Sequence, residues 1–316
     1  YAGHESAHNL FKNPNIQLVL AIGTSVTEMG IGNLINEIPE SCLIHIDSSV
    51  ESFSRTPLAK LHVCGHLDAV LNRLLNRVSA ESWRRTWHGI EFECDKNAIG
   101  GFVSIIDEEK CLSDASPVKP QRLMAYLSSA LPHEARIFID TGNIWAWATH
   151  YLNPPSNQGL YRVSMGFGSM AWAIGAVIGS AFANKEKPHV CLAGDGAWLM
   201  SSHEIGVAVQ HELPILFIVL NDSAYGMIKY GQQLSKAESI GWQLNEVDFA
   251  MLAMAQGADG IVIETPEQLN ALDLEAIFQN SVPTLLDVRI DASEIPPMMN
   301  RVNSLNEGKV EARGYT

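Results

Sequence analysis

Gly194-Asp195-Gly196-Ala197-Trp198, then a helix-like run to His211, then Pro214-Ile215-Leu216-Phe217-Ile218-Val219-Leu220, then Asn221-Asp222-Ser223-Ala224-Tyr225-Gly226-Met227: this stretch decides how the chain reads. The apolar run just ahead of it, Val190-Cys191-Leu192-Ala193, and the run at 215–220 lack polar alternation, as parallel strands buried on both faces do. Each ends in a polar loop led by a carboxylate, Asp195 on the first and Asp222 on the second. The interval between them is that of one strand-helix-strand unit. Neighbouring parallel strands point their carboxyl ends into one crevice, where ligands bind. Two hard oxygen ligands brought together this way suit a small cation such as Mg²⁺, which keeps waters and bridges to substrate phosphates. The glycines permit close backbone approach, and a helix starting near Trp198 turns its N–H groups toward an anion. On chemistry alone the stretch reads as a Mg²⁺–diphosphate site; the alternative is a strand-end turn with solvated carboxylates.

Gly194-Asp195-Gly196 followed at this distance by Asn221-Asp222, with Tyr225-Gly226-Met227 behind it, resembles the metal–diphosphate motif of thiamine-diphosphate enzymes. The wider resemblance is to the acetolactate synthase-like group, which includes pyruvate and benzoylformate decarboxylases. It implies that Asp195, the side chain of Asp222 and the backbone carbonyl of Ala224 ligate the metal. It also implies that Gly194, Gly196, Ala197, Asn221, Tyr225, Gly226 and Met227 surround the cofactor. The family more often has Asn at the position of Asp222; Asp keeps the ligand oxygen and adds charge.

Upstream, the strand Arg136-Ile137-Phe138-Ile139-Asp140 breaks at Thr141-Gly142-Asn143. The resemblance puts Gly142 and Asn143 against the diphosphate, although many relatives carry Gln-His where this chain has Asn143-Ile144. In Arg162-Val163-Ser164-Met165-Gly166, the resemblance makes Met165 the apolar wedge that folds the cofactor's two rings together. The Val163 carbonyl would then accept the proton of the 4′-amino group. A core methionine at a helix start is the plain alternative for Met165. Lys229 to Gly241 is polar and contains glycine, as a mobile active-site loop would.

The 316 residues are 47% hydrophobic and 18% charged, enough for a large core in about two domains. A net charge of −14 argues against a nucleic-acid or anionic-membrane partner. A local cation and helix ends outweigh that global field for an anionic cofactor. Five cysteines, scattered and without metal spacing, fit reduced thiols in a cytoplasmic protein. Met165 to Ala183 carries no charge and is long enough to span a bilayer, but its Gly, Ala and Ser content favours a packed helix.

The apolar strands 17–25 and 42–47 and the short strand 61–63 alternate with helical intervals at 29–38 and 67–78. Strands alternating with helices mean an α/β protein with doubly wound, mostly parallel sheets. The division read from the sequence is a central domain at 1–116, Rossmann-like but degenerate, and a diphosphate-binding domain at 117–316, joined by a linker at 107–120. In some relatives the central domain carries FAD or ADP. Gly23, Gly30 and Gly32 do not make the Gly-x-Gly-x-x-Gly pattern, which speaks against a nucleotide here. Asp47, at a strand end, is a candidate ribose ligand, with a solvated turn as the favoured alternative.

The activity implied is decarboxylation or ligation of 2-oxo acids; the alternatives are simple decarboxylation and a non-catalytic relative of the fold. The cofactor's C2 attacks the 2-oxo group and CO₂ leaves. Acetolactate synthases place a Trp shortly after the metal loop to select the second 2-oxo acid; the matching residue here is Gly231, beside Tyr230. In the family a Glu on a separate pyrimidine-binding domain activates the cofactor, and each site spans two subunits. Strand 17–25 lies too near the start of this chain for that domain to precede it. The expectation is a chain inactive alone that needs a pyrimidine-binding domain and a second subunit, as a homodimer or homotetramer.

Overall fold

The apolar runs read above fold as strands, and the polarity of their neighbours decides which helices cover them. The computed structural model describes residues 17–24, 26, 42–57, 59–80, 107–154, 159–164 and 166–297. The chain divides into two compact units, Tyr1–Ser104 with Ser304–Thr316, and Ile105–Asn303. The division falls ahead of the boundary at 116 read from the sequence. The reason is local: in the presumed linker, the short helix α2 (Glu108–Cys111) buries Cys111, and Lys110 reaches Glu294 at 2.7 Å within the second unit.

In the first unit, β1 (Val19–Ile22), β2 (Leu43–Asp47) and β3 (Leu61–Cys64) form a parallel sheet in that order, with α1 (Leu67–Ala80) following β3. Gly23 turns the chain at the end of β1 with φ +56°, and a Cβ there would meet Leu67 Cδ1 at 2.7 Å. Asp47 is buried, and its Oδ1 accepts from Ser49 N at 2.8 Å, a local turn bond. The helix expected at 29–38, with Gly30 and Gly32, lies outside the described residues.

In the second unit α2 is followed by α3 (Pro120–Ala130), with Pro at its first turn where no N–H partner is lost. Its strands are β4 (Arg136–Ile139), β5 (Leu160–Val163), β6 (His189–Gly194), β7 (Ile215–Asn221), β8 (Asp259–Ile263) and β9 (Thr284–Arg289). Among the described residues they form one six-stranded sheet in the order β5-β4-β6-β7-β9-β8, every pair parallel. The connecting helices are α4 (Asn143–Tyr151), α5 (Trp172–Ala183), α6 (Asp195–Ser201), α7 (Ile205–Gln210), α8 (Gly226–Leu234), α9 (Phe249–Met254), α10 (Pro266–Asn270) and α11 (Leu274–Gln279).

Strand residues alternate between two cores. Ile137, Val190, Leu192, Leu216 and Ile218 pack under α3, α4, α10 and α11. Phe138, Cys191, Ile215, Phe217 and Val219 pack under α5, α6, α7 and α9. Both sheet faces are therefore covered, which is why these strands show no polar alternation.

Residues 266–279 form two helices, because Thr265 and Gln268 make a capping box for the first and Asp273 caps the second at Ala276 N. The uncharged run to Ala183 is helical from Trp172, where Ala171 takes a left-handed φ of 67°. No helix among the described residues is long and apolar enough to cross a membrane. From β4 the chain moves outward to β5, then returns past β4 to β6. The order reverses between β4 and β6, and the carboxyl ends of these two strands border a crevice open to a ligand.

Candidate functional site

A cleft of about 270 Å³ opens at that reversal. It is bordered by Thr141, Gly142 and Asn143 after β4, by Gly194–Ala197 after β6, and by Asp222, Ala224, Tyr225, Gly226 and Met227 after β7. Gly168 and Met170, from the segment ahead of α5, form another side. Trp147, Leu220, Tyr230, Asp291 and Glu294 close the far end.

Asp195 sits at the first position of α6, almost fully buried. Its Oδ1 accepts from Gly196 N at 2.6 Å, and its Oδ2 accepts from Ala224 N at 3.1 Å on the loop after β7. One carboxylate thus joins the two strand-end loops. Burial, and then the charge of Asp222, push the Asp195 carboxyl up to about 7. Burial pushes Asp222 up to about 6, against the lowering pull of Lys229. Two carboxylates desolvated near one another hold a proton close to neutrality unless a cation replaces it.

The glycines are set by contact. A Cβ on Gly196 would stand 2.6 Å from Tyr225 Cε1, and one on Gly226 would collide with Asn143 Nδ2. Gly142 has φ 128° and ψ −162°, a region that side chains avoid, and it forms the N-cap of α4. At the start of α4 Trp145 N bonds the Gly142 carbonyl at 3.1 Å, and at the start of α8 Gly226 N bonds Ala224 O at 2.8 Å and Ile228 N bonds Tyr225 O at 2.9 Å, so the amides of Asn143, Ile144 and Met227 remain as the donors at the cleft. Asn143 Oδ1 is buried without a hydrogen-bond partner, an unspent polar end at the cleft wall. Among the described residues no cluster of three or more His, Cys, Asp or Glu forms a metal site. Any cation here would rest on two carboxylates and backbone or ligand oxygens.

The structure brings Gly142, Asn143, Gly194, Asp195, Gly196, Ala197, Asp222, Ala224, Tyr225, Gly226 and Met227 to one cleft. It does not bring Asn221 there. The Asn221 side chain turns into the sheet, donating from Nδ2 to Asp287 Oδ1 at 2.9 Å and to the Val247 carbonyl at 3.2 Å. Its Oδ1 accepts from Ser223 N at 3.3 Å, so Asn221 braces the loop that carries Asp222. Val163 ends the edge strand β5, beside Ile139 of β4, and does not border the cleft. Met165 lies outside the described residues.

The segment from Lys229, read as an open loop, is helical as far as Leu234. Tyr230 points inward and donates to the Ala292 carbonyl at 2.6 Å, while Lys229 bonds the same carbonyl at 2.8 Å. Sequence reasoning also passed over two buried carboxylates, Asp140 and Asp287. Each follows or interrupts an apolar strand run, and that break in the run was their only signal.

Residues 140–288 match the family model described as "Thiamine pyrophosphate enzyme, C-terminal TPP binding domain". The acetolactate synthase isozyme 3 large subunit of Escherichia coli (strain K12) is 29% identical over 305 residues, covering 93% of this chain and 51% of that protein. Residues 140–288 thus carry the C-terminal TPP-binding domain of thiamine pyrophosphate enzymes, and the chain is similar to the acetolactate synthase and 2-oxo acid decarboxylase group. The acetolactate synthase large subunit of Haemophilus influenzae is 28% identical over 298 residues, covering 92% of this chain and 50% of the relative. The sulfoacetaldehyde acetyltransferase of Castellaniella defragrans is 24% identical over 305 residues. The thiamine diphosphate-dependent 4-hydroxybenzoylformate decarboxylase of Rhodococcus jostii RHA1 shares the fold, with a TM-score of 0.63 at 22% identity, over 81% of this chain and 46% of that one. The chain spans about half the length of the curated relatives it matches.

Two outcomes follow from this geometry. Asn221→Ala leaves Asp287 Oδ1 buried without its amide donor, and urea denaturation should show a loss of about 1–3 kcal/mol. A loss below about 0.5 kcal/mol would contradict the bracing role. The second concerns pH. A carboxyl whose folded pKa is raised binds its proton more tightly in the fold, so its contribution is complete below the unfolded value near 3.8 and is lost as pH rises through about 7. In metal-free protein, the stability of the parent chain relative to Asp195→Asn should therefore fall between those two pH values. A difference flat with pH in paired denaturation series would contradict it.

Proposed function

We propose that this chain binds the diphosphate half of thiamine diphosphate together with a divalent cation, Mg²⁺ above all. The observation that carries this reading is the convergence of Asp195, Asp222 and the unspent Asn143 amide on one cleft. Asp195, Asp222 and the Ala224 carbonyl would ligate the cation, whose charge offsets the burial of the two carboxylates. The starts of α4 and α8 offer N–H groups to phosphate oxygens. With its amide turned end for end, Asn143 donates an NH₂ to the same group. Gly142, Gly194, Gly196, Ala197, Tyr225, Gly226 and Met227 would form the walls around it, the glycines keeping the approach open. Val163 and Met165 keep their roles toward the pyrimidine and the folded rings as part of this proposal, on resemblance alone.

Bound thiamine diphosphate supplies a nucleophilic thiazolium carbon that adds to a 2-oxo carbonyl. The reaction class proposed is decarboxylation of a 2-oxo acid with ligation of the remaining acyl unit, in the manner of acetolactate synthase. Simple decarboxylation is the second reading. The observation favouring it is Gly231, around which a Cβ would meet nothing within 4 Å, where an acceptor-selecting Trp stands in the synthases. Residues 1–104 would correspond to the central domain without a nucleotide. A pyrimidine-binding domain and a second copy of the chain complete the site in this proposal, and the cytoplasm is its compartment.

Calorimetric titration of the 316-residue chain with thiamine diphosphate tests the reading directly. Binding should require Mg²⁺, and Asp195→Ala should weaken it by more than about tenfold, the scale of one lost metal ligand. Affinity unchanged by EDTA and by Asp195→Ala would overturn the proposal. Incubation with a panel of 2-oxo acids, scoring CO₂ and ligated product, should give no turnover from this chain alone.

A further inference from the structure

The buried carboxylate of Asp140 touches nothing in the cleft, yet it holds two of its borders. It stands one residue past the end of β4, at the reversal of the sheet, and it is fully buried. Its backbone N–H donates to the Leu192 carbonyl of β6 at 2.9 Å, fixing it between the two strands. Oδ1 accepts from Thr141 N at 2.8 Å, at the start of the turn that carries Gly142 and Asn143. Oδ2 accepts from Ala171 N at 2.7 Å, and the N–H groups of Trp172 and Ala173 also point to the carboxylate.

Those three amides are the start of α5, whose own N-cap, Ala171, has no side chain able to cap it. Asp140 therefore caps from a neighbouring strand a helix that cannot cap itself. The segment that leads into that helix carries Gly168, at φ +70°, and Met170 to the cleft. A carboxylate can serve both sides because both of its oxygens are acceptors only. An amide cannot, since its NH₂ end must face an N–H on one side or the other. The ion also lies at the positive end of the α5 dipole.

We propose that Asp140 is a positioning residue that clamps the Thr141–Asn143 turn to the segment 166–171 and so sets the width of the cleft between them. Its consequence for cofactor affinity rests on the thiamine-diphosphate reading above; the clamp itself does not.

The test is Asp140→Asn beside a core control, Leu269→Ala, whose side chain is buried in α10 away from the cleft. Amide hydrogen exchange on the ligand-free chain should show the amide of Thr141 or of Ala171 exchanging more than about tenfold faster in D140N, with Phe217 and Ile218 in β7 unchanged. Thiamine diphosphate with Mg²⁺ should then bind D140N about tenfold more weakly, while L269A, though less stable, binds as the parent does. Exchange at both amides equal to the parent overturns the clamp. Faster exchange with unchanged affinity overturns its role in setting the cleft. A parent chain that fails to bind thiamine diphosphate counts against the proposed function, and the exchange data still decide the clamp. Should D140N fail to fold, Asp140→Glu takes its place. Its longer side chain cannot meet both amides at the native distances, so one of them should again lose protection, and full protection of both would overturn the clamp.

Discussion

Asp195 is the joint on which the site depends. One of its oxygens accepts from the helix it begins, and the other accepts from Ala224 on the loop after the next strand. That second bond ties the loop carrying Asp222 to the start of α6, beside the Gly194–Leu220 pairing of β6 and β7. The cost is a carboxylate almost removed from water, beside a second one whose charge opposes ionisation. The fold tolerates this because backbone N–H groups point at Asp195, and a bound cation would relieve the remainder. A cation and a phosphate placed there together would each offset what the other leaves unbalanced, which supports the proposed pairing of metal and diphosphate.

Around that joint stands a second layer that meets no ligand. Asp287, fully buried in β9, holds Asn221 and Phe249 N, and Arg289 lies 2.9 Å from its Oδ2. Asn221 in turn holds Ser223, which takes a left-handed φ of 52° between Asp222 and Ala224. On the other flank, Asp140 ties the turn after β4 to the start of α5. Each of these carboxylates is raised from its ordinary value by burial and pulled back by N–H donors. Their hydrogen bonds specify loop positions, whereas the apolar packing of the two cores specifies only that the sheet is covered.

Much of this was legible in the residues. The unbroken apolar runs at 190–193 and 215–220 require strands buried on both faces, and the intervals between runs require crossover helices. The carboxylates at the run ends follow, and with them the cleft. Asn221 was misread because its type and place suit a ligand contact, while its partner Asp287 lies across the sheet and is invisible to local spacing. Asp140 escaped notice for the same reason: Ala171 is a long-range partner brought close by the reversal between β4 and β6. The Lys229 segment reads as polar and open, yet Tyr230 is buried and the Lys229 ammonium lies over the Tyr230 and Trp242 rings, which gives the segment an inward face. Long-range pairing decided every one of these cases, and a sequence displays local pattern far better than pairing.

In the proposed function Asp195, Asp222 and the Ala224 carbonyl share one cation. Crystals of the chain grown with Mn²⁺ and thiamine diphosphate, with the metal located by its anomalous scattering, test it most directly. A single strong peak is expected within about 2.0–2.6 Å of an oxygen from each of the three residues, and contiguous with the diphosphate. Manganese bound elsewhere, or Asp195 and Asp222 turned apart with diphosphate bound between them and no metal, would contradict it.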